Sequence, residues 1–451
     1  MVELVIFGVF CAAVLTCIAL GHSILIALAF SLVLFFSYGL VKQHSVRSLL
    51  AMSCQGMKTA KTVLLMLCII GVLSAMWRAS GCVSYLVCNL LVVCRPEVIL
   101  LSIFLLCCIT SALIGSAFAT AGTVGIICMT MANGLGVSPI LSGGAILSGI
   151  YFGDRWSPLS TSCMLVANIT NTDSRQNLTA MAKTMVVPFI LCCGIYATVG
   201  LAVSSAAGGS SAAAVGATLS TGLAFHPLLA LPAVVVILFA LLKVRFYLSM
   251  GASIAVAAVL AITLQGADPV SLAGVALLGF RPESAQLAAM LGGGGFVSML
   301  QTVGIVAISS CYAGLFAGTG FLAGMQHLFE RIGAKTTSFV GVTAAAACAS
   351  LVSCSQTLAI MLTDQLCMGI KQTPEERVLE LEDTVVTMAA LVPWSIAAAT
   401  PLGIVSAPAA AVLAACYLYL VPAWGAARSL VASAKEKRSR SVMVSGSMRS
   451  C

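Results

Sequence analysis

Charged side chains are scarce in this sequence. Asp, Glu, Lys and Arg supply 8% of the 451 residues, whereas 60% are hydrophobic and the mean hydropathy is +1.11. A water-soluble domain needs more polar surface than this composition offers, so a soluble globular protein is excluded. The long apolar runs at 63–70 and 234–242 lack the alternation of β-barrel strands. We therefore predict an all-α polytopic integral membrane protein with room for roughly 10–13 transmembrane segments.

Residues that build most enzyme and metal sites are also few or scattered. The four histidines are far apart in the sequence, and the nineteen cysteines occur within apolar runs, where thiols behave as small hydrophobic groups. No cysteine pair has zinc-ligand spacing with a nearby histidine. A Ser-His-Asp arrangement, a phosphate-binding loop and a dinucleotide fingerprint are all missing from the sequence. We therefore expect no cofactor, no enzyme activity and no nucleic-acid partner.

Carboxylates are scarce as well, but a few of them fall inside apolar sequence. Most of the fourteen Asp and Glu residues lie in predicted turns or tails. The exceptions are Asp154, Asp364, Glu380, Glu382 and Asp383. An ionisable group within a membrane segment costs about 2.5–3.5 kcal/mol or more, so its presence indicates a pairing partner or a functional cavity.

The stretch at residues 149–162 combines charge, proline and hydroxyl groups in otherwise apolar sequence. An opened backbone at membrane depth is tolerated only where it lines a cavity or is buried in protein, so we predict a binding site here. A carboxyl group removed from water binds a proton more readily, which would let Asp154 exchange H⁺ for a cation. The simpler alternative is that Asp154 neutralises Arg155 or caps a helix beginning at Pro158. The predicted ligands of this stretch are Asp154, Ser157, Ser160, Thr161 and Ser162.

Three further polar segments extend this candidate site. Residues 116–125 are rich in glycine and hydroxyl groups and predict a re-entrant or broken helix. Residues 353–357 form a second hydroxyl cluster, for which packing of small residues between helices is an equally good explanation. At 393–395 a proline breaks a span beside a tryptophan, which would line the site or lie at a membrane interface. The candidate ligands of these segments are Ser116, Thr120, Ser355, Gln356, Thr357, Trp394 and Ser395, together with Asp364, which follows the second hydroxyl cluster by seven residues.

The two halves of the chain show weak internal similarity. A shift of 239 residues places Ser116 on Ser355, and a shift of 235 places the Pro-Leu-Ser of 158–160 on the Pro-Trp-Ser of 393–395. Basic residues concentrate at 41–61 and in the C-terminal tail, which assigns both to the cytoplasm by the positive-inside rule. We predict two inverted repeats at 1–203 and 226–425, a flexible Ala/Gly/Ser-rich linker at 204–225 and a basic cytoplasmic tail at 426–451.

The sequence Gly-Asp-Arg-Trp-Ser-Pro-Leu-Ser at 153–160 resembles a family signature. It is similar to Tyr-Phe-Gly-Asp-Lys-Met-Ser-Pro-Leu-Ser-Asp-Thr-Thr-Asn of the NhaC-type sodium/proton antiporter family. Further similar segments follow the family order at 70–81, 116–125, 294–322, 355–356 and 381–394. The resemblance implies an inverted-repeat ion transporter with two membrane hairpins and with Na⁺ and H⁺ as coupling ions. It adds Asp383 to the candidate site and makes Asp154, Ser157 and Ser355 the candidate Na⁺ ligands.

Departures from the family signature leave the substrate open. The family's Ser-Asp-Thr-Thr-Asn is Ser-Thr-Ser-Cys-Met at 160–164, which removes a carboxylate and an amide from the expected ion site. The usual Trp-Asn is Trp394-Ser395, and Asp364 stands where the family more often has glycine. A carboxylate that has moved across the site and a changed coupling ion both fit these differences.

The function that we predict is Na⁺/H⁺ antiport in the lipid bilayer of a bacterial cytoplasmic membrane, by alternating access, with a homodimer as a further expectation. One alternative is Na⁺- or H⁺-coupled transport of a small organic acid or amino acid, which the lost Asp and Asn favour. A more remote alternative is a membrane scaffold that transports nothing.

Overall fold

Nearly all of the chain folds into α-helices. The computed structural model describes residues 2–20, 22–94, 96–207, 212–220, 223–242, 244–319 and 326–447. Within these ranges there is no β-strand, and a single isolated bridge joins Phe280 to Gly293. Among the described residues, six helices are long and apolar enough to cross a membrane, and a pair of helices bent by 55° gives a seventh span if it is counted as one. The all-α membrane class predicted from composition is therefore confirmed.

The first half of the described chain contains eleven α-helices, which we number in chain order. A π-helical segment, Ala121–Gly125, joins α6 to α7. The helices are α1 Val2–Ala19, α2 Ile24–Val41, α3 Val46–Ala79, α4 Cys82–Val93, α5 Ile99–Ile114, α6 Ala117–Thr120, α7 Ile126–Gly134, α8 Pro139–Arg155, α9 Thr161–Thr170, α10 Ser174–Ala207 and α11 Ala212–Ser220.

The second half contains the helices α12 to α23, several of them separated by single 3-10 turns. The bent span consists of Pro374–Leu391 and Ile396–Ile404. The helices are α12 Leu231–Leu241, α13 Phe246–Thr263, α14 Pro269–Leu278, α15 Ala285–Leu291, α16 Leu300–Thr319, α17 Gln326–Lys335, α18 Ser338–Val352, α19 Gln356–Leu366, α20 Pro374–Asp383, α21 Val385–Met388, α22 Ile396–Ile404 and α23 Cys416–Ser447.

Much of the apolar sequence lies in helices too short to span a bilayer alone. Apolar helices of 10–17 residues include Ile99–Ile114, Thr161–Thr170 and Ser338–Val352. At a rise of about 1.5 Å per residue such helices fall short of the roughly 30 Å hydrocarbon core. The 10–13 segments expected from chain length included broken ones, and the described residues provide six or seven full-length spans together with these shorter apolar helices.

The basic stretch before residue 61 and the following span form one 34-residue helix, α3. At the predicted linker the structure differs from the sequence-based expectation. The predicted flexible linker at 204–225 contains α11, whose side chains Val215 and Leu219 are buried. Alanine has the highest helix propensity, so an alanine-rich segment folds once it has an apolar face to bury. Residues 208–211 and 221–222 of that linker, and 448–451 of the predicted tail, lie outside the described residues.

Glycines allow two helix pairs to approach very closely. A Cβ atom added to Gly153 on α8 would lie 2.2 Å from the backbone nitrogen of Ala112 on α5. One added to Gly314 on α16 would lie 2.0 Å from the carbonyl oxygen of Met52 on α3. Small residues at such crossings are the usual means of packing helices within a membrane. The first contact holds α8 in place within the first half, and the second ties the two halves together.

At each of four breaks between helices, a serine caps the helix that follows. Ser116 accepts from the N–H of Ala119, Ser160 from Cys163, Ser355 from Leu358 and Ser395 from Ala397. A serine cap satisfies one of the free N–H groups at a helix start, which is essential where water is absent. The predicted repeat pairs Ser116 with Ser355 and Ser160 with Ser395, and each of these four serines caps a helix.

The breaks pack together in two pairs. In the first broken pair, residues 115–116 and 156–160, the Ser157 hydroxyl donates to the Ala112 carbonyl at 2.8 Å. In the second broken pair, residues 353–355 and 392–395, the N–H of Ile396 donates to the Cys354 carbonyl at 2.7 Å. Backbone groups released by one break are therefore satisfied partly by the other.

Candidate functional site

Asp154 lies at the C-terminal end of α8, directly before the break at 156–160. Its side chain is 5% exposed and accepts hydrogen bonds from Ser162 at 2.6 Å and from Ser160 at 3.4 Å. The two hydroxyl groups are themselves 3.1 Å apart. No Lys, Arg or His among the described residues forms an ion pair with this carboxylate. Asp154 is therefore a buried acid held by neutral groups, which is suited to binding a transported cation or proton.

Gln356 connects Asp154 to the second half of the molecule. Its side-chain nitrogen donates to the Asp154 carboxylate at 3.3 Å and to the Val386 carbonyl at 2.9 Å. Gln356 is the first residue of α19, directly after the second broken pair begins. The main chain at Ala117, the first residue of α6, also faces Asp154. Helix starts from both halves thus converge on one carboxylate, and their free N–H groups and dipoles favour negative charge there.

Arg155 does not pair with its neighbour in the sequence. It is fully buried and forms an ion pair with Asp383, 228 residues away. Its guanidinium also donates to the Thr184 hydroxyl at 2.9 Å and to the main-chain carbonyl of Glu382 at 3.1 Å. A buried ion pair of this kind is stable only when its remaining hydrogen-bonding groups are satisfied, as they are here. The alternative that Asp154 neutralises Arg155 is therefore wrong, because Asp383 already does so.

Asp154 also does not cap the helix that follows. That helix, α9, begins at Thr161 and not at Pro158, and its cap is Ser160. The hydroxyl of Ser160 thus serves both the helix start and the carboxylate of Asp154. Both structural roles considered for Asp154 are consequently filled by other residues.

Glu382 is a buried carboxylate that was noticed in the sequence but left out of the predicted ligand set. It is 1% exposed, and neither of its carboxylate oxygens has a hydrogen-bond partner among the described residues. Its neighbours in electrostatic range include Arg155, Asp154 and Asp383. We call the four residues Asp154, Arg155, Glu382 and Asp383 the carboxylate cluster. The sequence singled out Glu382 only as one of three acids at positions 380, 382 and 383, so nothing in it distinguished the role of Glu382 from that of its neighbours.

Several predicted ligands near Asp154 have other tasks in this structure. The Ser157 hydroxyl donates to Ala112 and accepts from the N–H of Leu159 at 3.3 Å, so it does not contact Asp154. Thr161 and Thr357 are exposed at the starts of their helices. Ser116 caps α6, and the buried Thr120 hydroxyl returns to the Ser116 carbonyl at 2.9 Å.

The predicted residues of the second broken pair lie beside the site without touching Asp154. Ser355 caps α19, and Ser395 caps α22 while its hydroxyl lies 3.5 Å from the Cys354 carbonyl. The Trp394 indole donates to the Leu351 carbonyl at 3.1 Å and packs edge-on against Phe10. Trp394 is 3% exposed, so it belongs to the protein core and not to a membrane interface.

Asp364 is separate from the carboxylate cluster. It forms an ion pair with Arg377, whose side chain is 33% exposed, through a 2.6 Å hydrogen bond. The idea that a carboxylate has moved across the site to position 364 is therefore not supported by these contacts. Asp364 follows Ser355 by nine residues, or about two and a half helical turns, and this spacing carries it away from Asp154.

The oxygens around Asp154 fit a hard monovalent cation. Carboxylate and hydroxyl oxygens are what such an ion requires, and Asp154, Ser160 and Ser162 supply them. Ser157 and Ser355, the other predicted Na⁺ ligands, instead direct their hydroxyls into the backbone. No group of three His, Cys, Asp or Glu side chains in the described ranges is arranged to hold a metal ion.

A cavity of about 970 Å³ lies next to the second broken pair, and its described lining includes no residue of the carboxylate cluster. Its lining includes Pro393 at the break and the polar side chains of Gln301, Thr302 and Ser406. The cavity has no Asp, Glu, Lys or Arg in its described lining. It is far larger than a single ion needs and has the size of small-molecule sites.

Comparison with known proteins connects this geometry to a family of ion transporters. The model of the Na⁺/H⁺ antiporter family matches residues 149–424, from within α8, shortly before Asp154, into α23. The chain is 27% identical over 380 residues to the malate-2H⁺/Na⁺-lactate antiporter of Bacillus subtilis, covering 80% of this chain and 79% of that protein. It is 25% identical over 361 residues to the Na⁺/H⁺ antiporter NhaC of Alkalihalophilus pseudofirmus, covering 76% of each. An arginine/ornithine antiporter of Halobacterium salinarum is 28% identical over 265 residues, 57% of this chain and 54% of that protein.

Proposed function

Because the chain belongs to the Na⁺/H⁺ antiporter family, we propose that it is a secondary active transporter that exchanges Na⁺ for H⁺ by alternating access. The observation that carries this proposal is Asp154, a buried carboxylate with hydroxyl and amide ligands but no cationic partner in the described structure. Na⁺ and H⁺ compete for this one group, since either neutralises it. Competition for one site is sufficient to couple the two fluxes in opposite directions.

The two halves provide the elements that alternating access needs. Two broken pairs capped by equivalent serines meet at Asp154, as expected for inverted repeats at 1–203 and 226–425. We place the protein in a bacterial cytoplasmic membrane with its basic C-terminal segment in the cytoplasm, on the positive-inside rule. A homodimer remains part of this proposal.

The proposal is tested by proton flux in proteoliposomes that contain the full-length protein and a pH-sensitive dye. After a pH gradient is imposed, addition of NaCl should dissipate it, whereas choline chloride should not. Asp154→Asn should abolish the response, while Asp364→Asn, which alters a distant and partly exposed ion pair, should retain it. Wild-type protein that leaves the gradient intact on addition of Na⁺ would refute Na⁺/H⁺ exchange.

The second candidate function is coupled exchange of a small organic acid or amino acid. The cavity of about 970 Å³ at the second broken pair favours it, because a monovalent cation would fill only a small part of that volume. The malate/lactate and arginine/ornithine antiporters show that such cargo occurs among related chains. In the same vesicles, dissipation by malate, lactate or arginine but not by NaCl alone would select this function. A response to none of these solutes would favour the non-transporting scaffold.

A further inference from the structure

Two long helices, α2 and α8, begin at the cavity beside the second broken pair. At the start of α8 the Ser138 hydroxyl accepts a hydrogen bond from the N–H of Ile140 at 3.3 Å. At the start of α2 the Ser23 side chain makes no such bond. The first N–H groups of a helix have no carbonyl within the helix to bond, and the helix dipole favours negative charge beside them. The start of α2 is therefore open to an anionic group in the cavity.

Thr302 of α16 is a buried threonine that lines the same cavity. It is 7% exposed, and its hydroxyl makes no hydrogen bond to another described residue. The buried Thr130 and Thr363 instead donate to the carbonyl four residues earlier, at 2.9 and 2.8 Å. The Thr302 hydroxyl oxygen lies against Gly403 of α22, where an added Cβ would be 2.3 Å away from it. A buried hydroxyl without a partner is unfavourable, so the partner of Thr302 must come from the cavity.

The start of α2 and the Thr302 hydroxyl belong to neighbouring helices. A Cβ added to Gly304, two residues after Thr302, would lie 3.1 Å from the Leu25 side chain in the first turn of α2. The first turn of α2 therefore packs on the part of α16 that carries Thr302. Apolar side chains, among them Ile305 and Leu402, line the same cavity. One small molecule with a charged group, a hydroxyl and a carbon chain would match these three features.

The charge of the lining distinguishes between organic solutes. The exposed His22 is the only ionisable side chain in the described lining, and an imidazole is neutral or positive. An amino acid or another amine would bring an ammonium group for which this lining has no carboxylate. A dicarboxylate would bring two negative charges to one open helix start. A monocarboxylate is the solute whose charge this site matches.

We propose that the cavity binds a short-chain hydroxymonocarboxylate. Its carboxylate accepts hydrogen bonds from the first N–H groups of α2, its hydroxyl bonds to Thr302, and its carbon chain packs against Ile305 and Leu402. The inference deepens the second candidate function, on which it rests, by selecting one class of organic solute. Because Pro393 lines the cavity and Asp154 does not, the solute binds next to the second broken pair and apart from the ion site.

The test is calorimetric binding of lactate to the purified full-length protein in detergent. Propionate lacks the hydroxyl of lactate, and lactamide lacks its charge. Lactate should bind about tenfold or more tightly than either analogue, since each loses one of the two polar contacts. If lactate does not bind, or if either analogue binds as tightly as lactate, the proposal is wrong.

Thr302→Val removes the hydroxyl at nearly constant volume and tests its role. It should weaken lactate binding by about tenfold and leave propionate binding unaltered, because propionate has no hydroxyl to lose a partner. Thr319→Val is the matched control, since it removes a hydroxyl of the same helix that bonds to the Leu315 carbonyl at 2.8 Å, and it should bind lactate like wild type. An equal loss for lactate and propionate in Thr302→Val would contradict the assignment.

Ser23→Asp tests the start of α2 and provides the answer should Thr302→Val fail to fold. Aspartate is a favourable residue before a helix, so the fold should be retained, but its carboxylate takes the position assigned to that of the solute. Binding of lactate should fall by about tenfold or more, whereas binding of the uncharged lactamide should not change. Unchanged lactate binding, or an equal loss for both solutes, would show that the carboxylate does not bind at this helix start.

Two comparisons separate this site from the transport functions. Asp154→Asn should bind lactate like wild type, because the described lining contains no residue of the carboxylate cluster. Vesicles that respond to NaCl, with a protein that does not bind lactate, would overturn the cavity proposal and leave Na⁺/H⁺ exchange standing. A protein that binds lactate as described, in vesicles that respond to neither NaCl nor lactate, would keep the binding site and remove both transport functions.

Discussion

The two broken pairs have the same scaffold but different chemistry. In each pair, serines at equivalent positions cap the helices that follow, and the exposed backbone of one break is satisfied by the other. The first pair carries Asp154, whereas the position 235 residues later is Ala389. The second pair carries Gln356, whereas the position 239 residues earlier is Ala117. The repeated elements build a frame, and the unrepeated side chains meet inside it to form one asymmetric site.

This difference indicates which substitutions should affect stability and which should affect transport. The serine caps that the two pairs share satisfy backbone N–H groups. Removing such a cap should therefore lower the free energy of unfolding to a similar extent in either half. Groups found in only one pair face Asp154 or Arg155, so their loss should act on ion exchange or on the balance of buried charge.

The largest effect is expected for Arg155→Met, which removes the only buried cation of the carboxylate cluster. Asp383 then remains buried without its partner, a change that costs about 3–5 kcal/mol in comparable pairs. Unfolding by sodium dodecyl sulfate titration should show this loss, and the double variant Arg155→Met/Asp383→Asn should recover more than half of it. Arg377→Met breaks the pair with Asp364, in which the arginine side chain is 33% exposed, and should cost less than Arg155→Met because water reaches this pair. Equal costs at the two positions would contradict the picture of a charge-balanced core.

Asp154→Asn should leave the fold intact and remove exchange. The asparagine preserves size and hydrogen bonding to Ser162 but cannot be neutralised by Na⁺ or H⁺. Na⁺-dependent proton flux should fall by about 100-fold or more, equivalent to roughly 2.7 kcal/mol or more at about 1.4 kcal/mol per factor of ten. Dye quenching in proteoliposomes measures the flux, and the unfolding midpoint in the same preparation checks the fold. If Asp154→Asn retains its flux, the carboxylate that distinguishes the first broken pair from the second is not needed for exchange.

Gln356→Ala should weaken Na⁺ binding without abolishing exchange. The amide contributes one charge-assisted hydrogen bond to Asp154, worth about 1.5 kcal/mol, so the apparent Na⁺ affinity should change by roughly tenfold. The concentration of Na⁺ that gives half-maximal proton flux measures this change. Thr357→Ala on the exposed neighbouring position should leave that concentration unaltered. An equal response of both variants would show that Gln356 acts only through the backbone of α19.

The smallest effects are expected for the serine caps, and they compare the two pairs most directly. Ser160→Ala and Ser395→Ala should each cost about 1 kcal/mol of unfolding free energy, since each removes one helix cap. Only Ser160→Ala should also change the Na⁺ dependence of flux, by a few-fold, because Ser160 alone also contacts Asp154. Unfolding titrations and flux curves on the same samples separate the two consequences. A shift in Na⁺ dependence with Ser395→Ala would remove the distinction drawn here.

Local sequence features predicted the frame well. Pro158 and Pro393 with their following serines marked two of the breaks, because proline and serine caps act within a few residues. The low content of charged residues predicted a membrane protein, and the scarcity of acids within apolar sequence singled out Asp154. The alanine-rich linker was less predictable, because composition alone does not say whether an apolar face will find a neighbour. For α11 it does, and the segment is helical.

The sequence by itself determined the class of protein and the positions of the breaks, and it singled out Asp154 as the candidate ion ligand, since these follow from hydropathy and from interactions within a few residues. Only the tertiary structure decided how the charges pair. Neighbouring residues on a helix point in different directions, so Arg155 turns away from Asp154 and meets Asp383 across a helix contact. In a medium of low dielectric constant that choice of partner matters greatly. It leaves Asp154 to neutral ligands, and it makes Asp154 the carboxylate at which we expect ions to bind.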